Sequence, residues 1–165
     1  MLLGNNNYRP VWIVVTSIIC AVGLNIFPLG WMWGYFQPDW VALVVIYWCF
    51  WEPERRGAGL GWISGLLMDV VDYAVLGKNM LSKTVCAFFA NKISLRLRVY
   101  PVWQQCIGVA VLVTIDTAVI ALVQHFLGQS PLSTSRWLAP LSSMLMWPVV
   151  VFILNGTARR RGYMR

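Results

Sequence analysis

Charge is what this sequence has least of. Only 12% of its 165 residues are charged, while 59% are hydrophobic and mean hydropathy is +0.65. A soluble domain carries roughly a quarter charged residues, so the deficit points to an integral membrane protein. Acid is scarcer than base, six against 13, giving a net charge of +7. The four cysteines, Cys20, Cys49, Cys86 and Cys106, sit singly inside apolar runs, without a CxxC pair or a Cys/His cluster. Neither zinc nor a disulfide framework is indicated. No nucleophile–base pair, phosphate loop or metal-ligand spacing occurs, so the chain reads as no enzyme, with no metal and no cofactor. The apolar run after Arg9 lacks a small-residue cleavage pattern and is expected to stay as a first helix.

What the sequence has is length for helices. At ~20 residues per span, it holds about six and leaves no room for a catalytic domain. The apolar segments fall at about 11–28, 38–51, 57–76, 79–95, 102–127 and 137–155. The expectation is an all-α integral membrane protein, one transmembrane domain of six helices over residues 1–165. Ten tryptophans suit a chain with two membrane interfaces. The aromatic connection 29–37 has no lysine or arginine and is expected to lie along one interface. The second span is short, which calls for shielding by neighbours or a locally thin bilayer. Pro148 is expected to kink the sixth.

Six spans sort the basic residues. Arg9, Arg55, Arg56, Lys92, Arg96, Arg98, Arg159, Arg160, Arg161 and Arg165 fall on one side, which is ten of 13. Lys78 and Arg136 fall on the other, and Lys83 lies within a span. The positive-inside rule then puts both termini in the cytoplasm of a multi-pass membrane protein. The cluster Arg159–Arg160–Arg161 anchors that topology and attracts anionic lipid.

The third span organises the rest. Gly57, Gly61 and Gly65, four apart, share a helix face with Ser64, Met68 and Asp72, opposite Leu60, Ile63, Leu66, Leu67, Val70 and Val71. A stripe of small residues lets another helix approach closely, either within the bundle or from a single-span partner. Three ionisable groups lie at membrane depth: Asp69, Lys83 and Asp116. Each costs ~2.5–3.5 kcal/mol at a helix centre on the mildest scales, so they are expected to converge as one polar cluster. That cluster reads either as an ion pair fixing helix packing or as a relay or ligand site.

Pro38–Asp39–Trp40, Tyr47–Trp48, Pro53 with Arg55 and Arg56, Gly65 to Asp69, and Leu76–Gly77 together resemble the bacterial rod shape-determining MreD family. Trp103–Gln104–Gln105, Asp116 and Trp147–Pro148 before the arginine cluster are similar to its enterobacterial type. The resemblance implies a non-enzymatic subunit of the elongation complex that scaffolds or regulates lateral peptidoglycan synthesis and cell shape. It implies MreC as direct partner, with MreB, RodA and a class B penicillin-binding protein in the same complex. It also implies the fold of the substrate-binding subunits of energy-coupling-factor transporters, an analogy that carries no ligand with it. The alternative is a small-solute transporter or substrate-capture subunit using Asp69, Lys83 and Asp116.

Overall fold

The computed structural model describes residues 11–26, 37–52, 57–72, 77–130 and 132–159. Six α-helices and one 3-10 turn make up these residues, with no strand among them. The helices are α1 (Val11–Ile26), α2 (Trp40–Trp51), α3 (Ala58–Val71), α4 (Lys78–Leu97), α5 (Val102–Phe126) and α6 (Ala139–Arg159). The 3-10 turn Thr134–Leu138 leads into α6. Each segment picked out by hydropathy holds one helix. Residues 29–36 of the expected interfacial stretch 29–37, together with Arg9, Pro53, Arg55, Arg56, Leu76, Arg160, Arg161 and Arg165, lie outside the described residues.

Local chemistry sets the helix starts. Asp39 caps α2 by accepting a hydrogen bond from the Ala42 amide at 3.0 Å, behind a proline that suits a first turn. Gly77 caps α4 with φ +106°, a left-handed conformation open to glycine at little cost. Pro148 lies inside α6, which continues through it to Arg159.

The bundle is built around its shortest helix. At 12 residues, α2 is roughly 18 Å long, against a hydrocarbon core of about 30 Å. Ten consecutive residues, Val41 to Phe50, are buried. The other five helices all touch it, and the strongest pairings between neighbours are α3 with α4, α4 with α5, and α5 with α6. Polar hooks fix its rotation: Trp48 Nε1 donates to Ser17 Oγ on α1 at 2.9 Å, and Tyr47 Oη meets Asn155 Oδ1 on α6 at 2.8 Å. The shielding expected for a short span is thus supplied by protein on every side.

Polarity is arranged as lipid demands. Buried polar groups include Ser64, Asp69, Asn79, Ser82, Lys83, Ser94, Gln105 and Asp116, while Ile19, Trp62, Ile63, Phe88, Val111, Leu145 and Phe152 are exposed. In water that surface is a large apolar patch; in a bilayer it is the solvated face. Two helices, Val102–Phe126 and Ser135–Gly156, are long and apolar enough to cross a membrane. The chain is a helical membrane protein.

Candidate functional site

Lys83 is 1% exposed and lies between two carboxylates. Its Nζ is 2.6 Å from Asp116 Oδ2 and 2.5 Å from Asp39 Oδ2. The helices bring these together because α4 stands between α2 and α5. Ser82 completes the group: its hydroxyl lies 2.8 Å from the Asp116 carbonyl and in hydrogen-bond contact with Asp116 Oδ1. Asp39 is held from behind as well, its amide donating to Ser143 Oγ on α6 at 3.2 Å. Two acids and one base, each with good geometry, tie α2, α4, α5 and α6 together.

Asp69 is not part of this cluster. Its carboxylate accepts from the amides of Gly77 at 2.8 Å, Asn79 at 2.8 Å and Met80 at 3.1 Å. A carboxylate at a helix start satisfies orphan amide groups and meets the positive end of the helix dipole. Three amides thus satisfy Asp69 at the start of α4, and no Asp69–Lys83 ion pair occurs among the described residues. The expected trio of Asp69, Lys83 and Asp116 is therefore corrected to Asp39, Lys83 and Asp116. Asp72 follows on the next turn and accepts from Asn79 Nδ2 at 3.2 Å.

The glycine face is filled from within. A Cβ on Gly61 would stand 2.3 Å from the Lys83 carbonyl oxygen, and one on Gly65 2.5 Å from the Asn79 oxygen and from Met80 Cα. These are backbone atoms of α4, so the stripe serves the α3–α4 contact and offers no free face at Gly61 and Gly65 to a separate chain. Gly57 sits at the N-cap of α3.

A cleft of about 240 Å³ opens above Asp39. Asn25, Gln37, Asp39, Asp72, Thr117 and Arg136 are among its lining. The ends of α1 and α3, the starts of α2 and α6, and the later part of α5 meet here, so the helices alternate in direction. Asp39 is spoken for by Lys83 and Ala42. Arg136, on the 3-10 turn, stands within electrostatic reach of Asp39, and its guanidinium makes no hydrogen bond or ion pair among the described residues. Asp72 is exposed at the opposite wall.

Sequence reasoning named Asp39 as a family-motif residue but not as a member of the ion cluster, and it did not single out Arg136 as a site residue. Asp39 carried a signal, an acid at the lip of an apolar segment, but that signal also describes any helix cap. Of the other motif residues, Pro38 is buried against the cleft, Trp40 is half-buried, and Gly77 caps α4. Trp103 is exposed near the start of α5, Gln104 follows it half-buried, and Pro148 lies within α6 beside buried Trp147. Trp147 Nε1 donates to Gln105 Oε1 at 3.3 Å. Arg159 is the last residue of α6.

Comparison with known proteins agrees with this reading. The family model described as rod shape-determining protein MreD matches residues 7–156. Rod shape-determining protein MreD of Haemophilus influenzae is 29% identical over 153 residues, covering 91% of this chain and 93% of that protein. No solved structure matches the chain. A match that runs from before α1 nearly to the end of α6 takes in the central helix, the ion cluster and the cleft together, and the chain belongs to the MreD family of rod shape-determining proteins.

Proposed function

We propose that the chain is a non-enzymatic, multi-pass inner-membrane subunit of the cell-elongation complex, and that it binds MreC through the cleft above Asp39. Residues 1–165 form one transmembrane domain of six crossing helices with both termini cytoplasmic. Its fold is that of the substrate-binding subunits of energy-coupling-factor transporters. Through MreC it scaffolds or regulates lateral peptidoglycan synthesis, alongside MreB, RodA and a class B penicillin-binding protein. Family membership supports the role, and the distribution of basic residues supports the orientation.

The observation that carries the partner site is the contrast between two surfaces. The glycine face that invited a partner helix is occupied by α4 at backbone distance. The cleft is open, and it offers Arg136 and Asp72, side chains not consumed by the ion cluster. On the positive-inside orientation it faces the outer side, where the membrane-proximal part of a single-span partner emerges. The solute-carrier alternative draws less support, because Lys83 is already matched by two carboxylates and Asp69 by three amides.

Reversing charges on the cleft wall tests this. Asp72→Lys and Arg136→Glu, made separately, are each expected to lower recovery of MreC in detergent co-purification by about tenfold, because misplaced charge at an interface costs more than ~1.4 kcal/mol. Leu145→Ala on the lipid-facing side of α6 should leave recovery unchanged. Full recovery with both reversed variants would remove the cleft as the partner site.

A further inference from the structure

The corner where α4 turns into α5 carries a second surface, at the other end of α4 from the cleft. Between Asp72 and Asp116 the sequence contains no acidic residue. Lys92, Arg96 and Arg98 are all exposed there, and none forms an ion pair among the described residues. Lys92 and Arg96 are four apart and share a helix face. Arg98 is aimed by its own bond, Nη2 donating to the Trp51 carbonyl at the end of α2 at 3.1 Å.

Large apolar side chains stand among these cations. Val99 is 85% exposed, Leu95 73% and Trp103 64%, with Tyr100 beside them. The corner is pinned while these side chains project. The amides of Val99 and Tyr100 close back onto Arg96 and Leu97, and Leu97 packs where a Cβ on Gly108 would come within 2.6 Å of its Cδ1. Water is a poor solvent for such a surface, and acyl chains are a good one. Tyrosine and tryptophan mark the boundary between acyl chain and headgroup, which places the interleaved cations at phosphate level.

We propose that this corner binds the headgroup of an anionic phospholipid, with Lys92 and Arg96 on the phosphate and Leu95, Val99 and Trp103 against its chains. One-signed charge supplies the selectivity, and the apolar residues supply the requirement for a lipid over a free anion. The site needs only that the chain sits in a membrane; it is independent of the MreC reading.

The test uses the full chain in neutral-detergent micelles, titrated with phosphatidylglycerol, phosphatidylcholine or free glycerol 3-phosphate. Bound lipid is counted by native mass spectrometry and stability followed by thermal unfolding. Phosphatidylglycerol should bind in preference to the other two. At about fivefold per cation, Lys92→Gln with Arg96→Gln should weaken it roughly 25-fold at low salt. Lys92→Arg with Arg96→Lys should keep the preference. Three results would overturn the site: an unchanged preference in the folded double glutamine variant, equal binding of glycerol 3-phosphate, or loss only when Arg159, Arg160 and Arg161 are replaced by glutamine.

Discussion

The ammonium of Lys83, 2.5 and 2.6 Å from two carboxylates, is the most constrained charge among the described residues. A buried ion pair is weak evidence for net stability, because desolvation offsets most of its attraction. Removing one partner is another matter, since it strands the rest. Lys83→Met should therefore destabilise the protein by about 3–5 kcal/mol, measured by denaturant unfolding in detergent. A loss below about 1 kcal/mol would show that the carboxylates find other compensation. Sequence alone made Lys83 and Asp116 partners, through the cost of leaving either bare in lipid. It grouped Asp69 with them for the same reason and was mistaken. The amides that hold Asp69 lie 8 to 11 residues away. Only the reversal at Gly77 brings them back, and the periodicity of either helix taken singly does not show it.

Two elements show how far a pattern of residues reveals packing. The glycine stripe on α3 was visible as a close-approach face, and the structure identifies its occupant as α4. Gly65→Ala places a methyl group 2.5 Å from backbone atoms that cannot rotate away, at a cost of roughly 1–3 kcal/mol. Gly59→Ala on the same helix meets nothing within 4 Å and should be neutral or stabilising by up to about 1 kcal/mol. Thermal unfolding of the pair separates close packing from helix propensity; equal effects would contradict the assignment of the stripe. The central place of α2 was not legible in this way. Hydropathy reports exclusion from water, and both lipid and neighbouring helices satisfy it. Nothing within Trp40–Trp51 distinguishes a span bathed in lipid from one enclosed by protein.

At the scale of the molecule, the apolar exterior and polar interior define a membrane bundle, and family membership assigns it to rod-shape determination. The all-helical class was readable from charge deficit and hydropathy, since a bilayer leaves few other solutions for the backbone. The cleft was not readable. It arises where four helix ends meet the later part of α5, and its lining residues are scattered from Asn25 to Ala139 with no shared spacing. The cleft and the ion cluster share Asp39, so the proposed partner site sits directly on the group that locks four helices together. A partner seated there would bear on the core of the bundle as well as on its rim. The most direct measurement is depletion of the chain in its native cell, with rescue by wild type or by the Asp72→Lys, Arg136→Glu double variant expressed at equal level. Cells should round on depletion, regain rod shape with wild type, and stay round with the double variant. Rod shape kept on depletion, or restored fully by the double variant, would contradict it.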